Sequence, residues 1–421
     1  MLLILTDQQR YDAVGYTNPA ISTPNIDALA AEAVVCPQTI VQCPQCQPSR
    51  ASFLTSRYPT TLKMWWNEQP LNTRERTIGN ILRDNGYNTG YFGKMHIDGK
   101  ENHTKMANHF GFTSTFLSED WQTLLASDHW DTPHTQNRIR KEFYMPMMNE
   151  KNPWVTSFES RNLHHEDVIT DKAIEFLNRS TGNSFCVVSY NGPHPPYGSP
   201  PPYNTMYDRE SFSVPDIMSK IYFNFQTTPK YWRELKAQYY GCVSWIDDNI
   251  GRLLKNVDDN TIIIFTSDHG DILGDHGLFS KGLYAYDGNV RVPLLMRFPH
   301  KEHAIYDHTV QSIDILPTIL QSLGIKQPIA IQGKGLYNAL WSNEEINQWA
   351  FSCIGHEQRL RMVRTPEFKY WWYGGESLFD LRGDPSEAKN IAHTNKDLLM
   401  EMRGLLISAM IQAEDNLPSV H

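Results

Sequence analysis

Three largely apolar runs most strongly constrain the fold of this chain. They are Leu2–Thr6, Ser184–Tyr190 and Thr261–Thr266, and they lack the regular polar alternation of a half-exposed strand. Such runs are typical of strands that are buried on both faces of a parallel sheet. Amphipathic helical patterns lie between them, the longest from Tyr231 to Val257. This alternation predicts an α/β fold with a large, mostly parallel, doubly wound sheet flanked by helices.

The other predicted elements follow the same alternation. Thr23 is a predicted cap for a helix that starts at Pro24. Further helices and strands are predicted from periodicity and from glycine stops: helices over Thr77–Asn85, Asp167–Asn178 and Asp314–Leu323, and strands over Asn88–Phe92 and Val290–Phe298.

Two regions depart from this pattern. Residues 100–165 are rich in Asn, His, Trp and Thr and have weak periodicity, which predicts an insertion lying over the functional site. Beyond about residue 328, the sequence predicts short antiparallel strands and a closing helix: Leu360–Val363, Lys369–Tyr373, Ser377–Asp380 and Lys396–Ala413. We therefore predict an α/β domain over residues 1–327 and a small α+β subdomain over residues 328–421.

Charged and imidazole side chains follow directly after four predicted strands: Asp7-Gln8, Lys94 with His96, His194, and Asp268-His269. Because ligands bind beyond the carboxyl ends of the strands in such sheets, we expect these side chains to share one site. Two carboxylates, an amide oxygen and an imidazole suffice to hold a divalent cation. The alternative is that the two aspartates cap following helices and that His269 is a core histidine.

The segment Cys46–Arg50 (Cys-Gln-Pro-Ser-Arg) joins a thiol to a predicted helix start. Proline fits the first turn of a helix because its missing N–H costs nothing there. Free backbone N–H groups, with Arg50 one turn further on, would make an electropositive pocket for an anion at position 46. The alternative is an inert buried cysteine. The C-x-x-C of Cys43 and Cys46 lacks a second half for a zinc site, and six cysteines are too few for a disulfide framework.

The Cys46–Arg50 segment resembles the Cys-x-Pro-Ser-Arg signature of the sulfatase family, within the alkaline phosphatase superfamily. Gly93–His96 is similar to the family's Gly-Lys-x-His, and Pro193–Pro196 is similar to its Pro-His-x-Pro. Lys281 matches the second lysine of the family, and Phe368–Tyr370 with Leu378–Pro385 resembles its small subdomain. The resemblance covers most of the chain.

The resemblance also implies a site for one divalent cation. Its ligands would be Asp7, Gln8, residue 46, Asp268 and His269. Gln8 and His269 stand where many members have aspartate and asparagine, a variation shared with some sulfatases and with the phosphonate monoester hydrolases. Calcium is the favoured ion, with manganese or magnesium as alternatives, and the imidazole ligand improves the case for manganese.

The resemblance implies a role for each further residue. A formylglycine-generating or anaerobic maturation enzyme would oxidise Cys46 to formylglycine, whose hydrated aldehyde is the nucleophile. The remaining implied roles are these: Arg50 holds the nucleophile, Lys94 and Lys281 bind the anionic oxygens, His194 protonates the leaving oxygen, His96 takes the proton from the remaining hydroxyl of residue 46, and Asn67 binds substrate.

The activity that the resemblance implies is hydrolysis of a sulfate ester, of a carbohydrate or a small molecule. The alternatives are a phosphonate monoester or phosphodiester hydrolase, and a non-catalytic, metal-stabilised binding protein in which Cys46 stays a thiol. Trp65 and Trp66 would offer a sugar-stacking face, although core packing explains them equally well. The composition of the insertion suggests that Trp121, Trp130 and Trp154 line a carbohydrate pocket.

Charge and hydropathy exclude two classes of partner. A formal net charge of −9 argues against nucleic acid and against a membrane surface. The sequence contains no apolar run of about 18 residues, the length that a transmembrane helix needs. Because Met1–Asp7 has no basic segment and no cleavage site, we expect a cytoplasmic protein, or a periplasmic or secreted one if a signal peptide has been trimmed.

Overall fold

An eight-stranded sheet forms the centre of the protein in a computed structural model, which describes residues 1–98, 103–120, 164–214, 228–356 and 360–415. The strand order is β5-β4-β6-β1-β7-β8-β2-β9. The strands of this sheet are β1 (Leu2–Asp7), β2 (Val34–Val35), β4 (Asn88–Gly93), β5 (Ser114–Leu117), β6 (Ser184–Pro193), β7 (Ile263–Ser267), β8 (Leu294–Arg297) and β9 (Ala304–Ile305). A separate pair joins β3 (Thr39–Ile40) to β10 (Val310–Gln311).

The pairs among β5, β4, β6, β1 and β7 are parallel, whereas β8 runs antiparallel to both of its neighbours. The α-helices are α1 (Pro24–Glu32), α2 (Cys46–Thr55), α3 (Pro59–Leu62), α4 (Ile78–Asp84), α5 (His103–His109), α6 (His165–Arg179), α7 (Pro229–Leu254), α8 (Asp287–Val290), α9 (Ile315–Ser322), α10 (Ala339–Ser342) and α11 (Lys396–Gln412). The prediction of a large, mostly parallel sheet flanked by helices is confirmed.

The central strand β1 has apolar side chains on both faces because helices cover both faces. Leu3 packs into a cluster with residues of α2, α4 and α9. Leu2 and Ile4 pack into the opposite cluster, with residues of α1, α6 and α7. Burial on both faces removes the polar alternation that a half-exposed strand would show. The sheet is therefore a rigid base for the residues that follow β1 and its neighbours.

Two predictions about the main sheet are wrong. The strand predicted over Val290–Phe298 is limited to β8, and the short helix α8 precedes it. Pro293 has no N–H to extend the ladder, which explains the late start of β8. Ser114–Leu117 falls within the predicted insertion but forms the edge strand β5, paired in parallel with β4. The rest of that segment, with Trp121, Trp130 and Trp154, lies outside the described residues.

The C-terminal part is a four-stranded antiparallel sheet with α11 packed against it. Its strands are β11 (Ala350–Ile354), β12 (Leu360–Arg364), β13 (Phe368–Trp372) and β14 (Glu376–Asp380). The sequence pattern predicted the last three and missed β11. Buried ion pairs join this sheet to the main one, since Asp287 contacts both Arg364 and Lys369. The domain boundary at residues 327 and 328 stays a prediction.

Within the described part of the chain, we find no helix that combines the length and the apolar character needed to cross a bilayer.

Candidate active site

Two adjacent central strands bring a pair of aspartates together. Asp7 is the last residue of β1, and Asp268 follows β7, which pairs with β1 in parallel register. The chain turns sharply after β1 because Gln8 has a positive φ of 70°. The Gln8 N–H then donates to Asp268 Oδ1 at 3.0 Å. Asp268 thus binds the turn after β1, which removes the alternative that it caps a following helix.

Cys46 lies directly above this pair as the first residue of α2. Its Sγ is 3.7 Å from Asp7 Oδ1 and 3.2 Å from His269 Nε2. Lys281 Nζ is 2.7 Å from the same sulfur. One candidate ligand atom from each of Asp7, Cys46, Asp268 and His269 lies within 4.8 Å of the others. The four residues are therefore close enough to share one ion.

The environment of Cys46 differs from that of the other buried cysteines. Burial raises the pKa of the Cys36 and Cys186 thiols, as expected for cysteines in apolar surroundings. Burial also acts on Cys46, but the positive charges of Lys281, Lys94 and His269 lower its pKa well below the ordinary value. The alternative of an inert core cysteine does not fit this electropositive setting.

Arg50 binds one carboxylate oxygen of each aspartate and leaves the other oxygen of each for the ion site. Its guanidinium is fully buried and donates from Nε to Asp268 Oδ2 at 2.7 Å and from Nη2 to Asp7 Oδ2 at 3.2 Å. Each Oδ1 remains on the side of Cys46 and His269. Among the described contacts Arg50 makes no hydrogen bond to Cys46, so the implied role of Arg50 in holding the nucleophile can only be indirect.

Lys94 adds a second cation next to Asp7, with Nζ 2.5 Å from Asp7 Oδ2. Burial and the Cys46 charge oppose ionisation of Asp7, but Lys94, His194 and Arg50 outweigh them and lower its pKa. Burial likewise disfavours the charged form of Lys94. The negative charges of Asp7 and Cys46 outweigh the effect of burial and raise the Lys94 pKa. The two groups are therefore an ion pair at neutral pH.

Gln8 and His269 each direct one candidate ligand atom toward the site. Gln8 Oε1 is buried and has no hydrogen-bond partner within the described part of the chain, which is costly unless it binds something. His269 Nδ1 lies 2.9 Å from the Gly270 carbonyl, and donation there leaves the Nε2 lone pair for the site. Carboxylates, an amide oxygen and an imidazole suit calcium, magnesium or manganese. The side chains at this site are therefore suited to bind a divalent cation.

The remaining predicted residues surround this centre at different distances. His194 lies near Cys46, where it helps to lower the pKa of the thiol, and its Nδ1 lies 2.6 Å from the Pro195 carbonyl. Asn67 Oδ1 accepts from the Gln47 N–H at 3.1 Å, one residue from Cys46. His96 makes no hydrogen bond to Cys46 among the described residues.

Backbone N–H groups contribute less to the anion pocket than the sequence suggested. The Gln47 N–H is taken by Asn67, and proline at position 48 has none. The Ser49 N–H donates to the Gln45 carbonyl. The positive potential at residue 46 therefore comes chiefly from lysine side chains.

Sequence reasoning missed three acidic residues that hold the site loops, two of them buried and Glu119 partly buried. Glu119 Oε1 accepts from the N–H groups of Met95 and His96. Glu166 accepts from two N–H groups just before His194, and Asp271 accepts from the Gln8 amide. Their partners are backbone groups or distant side chains, so no spacing in the sequence reveals these contacts.

Glu166 gives a testable pH dependence. Its Oε1 accepts from the N–H groups of Gly192 at 2.8 Å and Asn191 at 3.1 Å. Burial is the main cause that raises its pKa from 4.5 to about 8, with the nearby Asp167 and Asp7 acting in the same direction. The folded state therefore holds a proton that the unfolded chain releases. This contribution to stability is complete below about pH 4.5 and is lost as the pH rises through about 8.

We expect Glu166→Gln to flatten that pH dependence, because the neutral amide oxygen still accepts both N–H groups. The measurement is the free energy of unfolding in urea for both proteins from about pH 5 to about pH 9. Equal slopes for the two proteins would contradict this assignment. Glu175→Gln, at a partly exposed position in the same helix, is the control and should leave the slope unchanged.

Comparison with known proteins agrees with the fold and shows the family of the chain. The family model described as Sulfatase matches residues 1–325, and that described as N-sulphoglucosamine sulphohydrolase, C-terminal, matches residues 274–412. The ulvan-active sulfatase of Formosa agariphila is 31% identical, over 93% of this chain and 76% of that protein. The arylsulfatase of Clostridium perfringens is 28% identical, over 99% of this chain and 95% of that protein.

Among solved structures, the phosphonate monoester hydrolase of Agrobacterium radiobacter superposes with a TM-score of 0.80 at 24% identity, covering 98% of this chain and 95% of that one. The two proteins therefore share one fold. By its sequence the chain belongs to the sulfatase family, whose members are sulfuric ester hydrolases. The resemblance noted in the sequence is confirmed.

Proposed function

We propose that the protein hydrolyses a sulfate ester of a carbohydrate, using a formylglycine made from Cys46 and one divalent cation bound by Asp7, Gln8, Asp268 and His269. The observation that carries this proposal is the position of Cys46 Sγ, which lies 3.2 Å from His269 Nε2 and 3.7 Å from Asp7 Oδ1. An oxygen of formylglycine hydrate would occupy the place of this sulfur. When present, the two groups would supply an oxygen nucleophile and charge stabilisation.

Two lysines are placed to bind the anionic oxygens of the ester. Lys281 Nζ lies 2.7 Å from Cys46 Sγ, and Lys94 Nζ lies 2.5 Å from Asp7 Oδ2. An ester sulfur attacked by residue 46 would therefore carry its non-bridging oxygens between two ammonium groups. Fixed positive charges that face developing negative charge stabilise the transition state.

Two histidines would move the protons. His194 lies at Cys46 and can protonate the departing alkoxide oxygen as a general acid. His96 would take the proton from the remaining hydroxyl of residue 46 as the aldehyde is regenerated. It lies in the same loop as Lys94, and Glu119 holds its backbone N–H.

The carbohydrate substrate is supported by the ulvan-active relative, which is 31% identical. Asn67 lies beside the nucleophile and would bind the sugar through its amide nitrogen, because its oxygen is already bound to the Gln47 N–H. Trp66 packs with residues of the C-terminal sheet, so core packing accounts for that tryptophan.

A second candidate function is the hydrolysis of a phosphonate monoester or phosphodiester. It is supported by the superposition on the phosphonate monoester hydrolase of Agrobacterium radiobacter, and by the Gln8 and His269 pair, which the resemblance assigns to such hydrolases as well as to some sulfatases. The ester that a matured sample cleaves with the higher kcat/KM decides between the two. The test is a panel of sulfated mono- and oligosaccharides beside a phosphonate monoester, with sample from the native host. If residue 46 stays a thiol in that sample and no ester in the panel is cleaved, both proposals are contradicted in favour of a binding protein.

We expect Lys94→Ala and His194→Ala each to lower kcat/KM by about 10²–10³-fold, the usual loss for an electrostatic or general-acid group. Both variants should stay folded, because neither side chain belongs to the hydrophobic clusters. Steady-state kinetics and thermal unfolding check the two statements. Lys172→Ala, which removes a partly exposed lysine of α6, is the control and should keep wild-type kinetics. Wild-type kcat/KM in either site variant would refute its assigned role.

A further inference from the structure

We propose that Asp271 is a positioning residue that orients the Gln8 amide so that its oxygen, and not its nitrogen, faces the cation. The inference rests on the proposed cation site and assigns a role to a residue outside the ligand set. It follows from the hydrogen bonds of one buried amide and of the carboxylate beside it.

An amide ligand creates a problem that a carboxylate does not. The two ends of a glutamine side chain are almost equal in size, but one is an acceptor and the other carries two donors. Only the oxygen can bind a cation. If the amide turned over, Nε2 would face the ion and repel it. A chain with glutamine at position 8 therefore needs a neighbour that distinguishes the two ends.

Asp271 provides that distinction because a carboxylate only accepts hydrogen bonds. Its side chain is fully buried, and its Oδ2 lies 2.7 Å from Gln8 Nε2. The same Oδ2 accepts from the Tyr197 hydroxyl, and Oδ1 accepts from the Leu273 N–H at 2.8 Å. A Gln8 oxygen turned toward this carboxylate would meet a second acceptor in a buried place, which is costly.

The second N–H of the Gln8 amide is also used. Nε2 lies 2.9 Å from Ser280 Oγ, so both hydrogens have acceptors. Oε1, on the other side, is buried and has no partner among the residues that the structure describes. All the hydrogen bonds of this amide are thus made at its nitrogen, and its oxygen is left for the ion. Ser280 directly precedes Lys281, so the same amide also ties the lysine loop to the turn after β1.

Asp271→Asn is expected to weaken cation binding by about 10–100-fold, the usual effect of losing a residue that orients a ligand. The asparagine side chain has one acceptor oxygen where Asp271 has two. If that oxygen serves the Leu273 N–H, the new NH₂ faces Gln8 and turns its amide over. The measurement is the dissociation constant of Mn²⁺, from the electron paramagnetic resonance signal of the free ion, and of Ca²⁺, from calorimetry. The full chain is used, with all variants in the same maturation state.

The double variant Gln8→Glu, Asp271→Asn exchanges donor and acceptor. The NH₂ of the new asparagine can donate to one oxygen of the carboxylate introduced at position 8, and the other oxygen faces the ion. We expect it to bind the cation more tightly than Asp271→Asn alone. Asp247→Asn is the matched control, because Asp247 is a buried aspartate that accepts from the Asn25 and Ile26 N–H groups away from the site. It should lower stability and leave cation affinity unchanged.

The outcomes separate this inference from the proposed function. If the wild type binds neither ion, the cation site fails and the positioning role fails with it. If the wild type binds and Asp271→Asn binds equally tightly, the positioning role alone is wrong. If Asp271→Asn binds the cation weakly and the double variant binds it no more tightly, Asp271 supports the fold and does not orient the Gln8 amide. If Asp271→Asn does not fold, the cation affinity of the double variant is compared with that of Gln8→Glu alone. Equal affinities of these two variants overturn the proposal.

Discussion

Replacing Cys46 with alanine is expected to abolish ester hydrolysis, with a loss in kcat/KM of about 10⁴-fold or more. The proposed reaction has no other nucleophile, since the lysines and histidines around residue 46 would bind charge or move protons. The side chain is 1% exposed and lies at the start of α2, outside the main hydrophobic clusters. We therefore expect the variant to fold and to keep its cation affinity within a moderate factor, because the four other proposed ligands, Asp7, Gln8, Asp268 and His269, remain.

Cys186→Ala is the matched control for this prediction. Cys186 is a fully buried cysteine of β6, and burial raises the pKa of its thiol. Its loss should lower the free energy of unfolding, as for any large-to-small change in a core, and should leave kcat/KM at the wild-type level. Residual turnover by Cys46→Ala within about tenfold of wild type would contradict a nucleophile at position 46.

The second large effect is on stability. Arg50→Ala is expected to lower the free energy of unfolding by about 3–5 kcal/mol, the typical cost of removing one partner of a buried ion pair. Arg50 and Asp7 are fully buried and Asp268 nearly so, and Arg50 donates to both carboxylates. Without the guanidinium two buried negative charges face each other. A divalent cation should restore part of the loss, since it binds the folded state only.

Chemical denaturation with a chelator, and again with Mn²⁺, measures both parts of the Arg50 prediction. Arg76→Ala is the control, because Arg76 pairs with Asp84 at the surface, with exposed fractions of 58% and 42%. Its loss should cost less than about 1 kcal/mol and should not respond to the ion. If Arg50→Ala lowered the free energy of unfolding by as little as Arg76→Ala does, Asp7 and Asp268 would not depend on the Arg50 guanidinium.

Sequence reasoning located the main sheet because a strand that is buried on both faces has a continuous apolar run in the sequence. The apolar run Leu2–Thr6 corresponds to β1, and the helix predicted over Tyr231–Val257 corresponds to Pro229–Leu254. Sequence reasoning failed where such a run is short or absent. The edge strand β5 is only partly buried, and β11 is fully buried but has only five residues, with Ser352 interrupting its apolar run. Local periodicity carries no information about which sheet a short strand will join.

The centre of the candidate site was predictable for a related reason. Asp7 and Asp268 follow neighbouring parallel strands, so topology alone brings them together. The residues that hold them were not predictable. Asp271 contacts Gln8 across 263 positions of sequence. Such contacts depend on the path of loops after the strands, and a single sequence does not encode that path in any spacing. The sequence therefore predicts the two aspartates at the centre of the site, and the structure adds the residues that hold them in place.

The mass of the peptide that contains residue 46, prepared from the native host, tests the central claim most directly. Conversion of a cysteine CH₂–SH to an aldehyde removes one sulfur and two hydrogens and adds one oxygen, a loss of about 18 Da. The native host is required because the maturation enzyme must be present. We predict this loss in protein that hydrolyses a sulfate ester. An unmodified Cys46 thiol in protein with full hydrolytic activity would contradict the account.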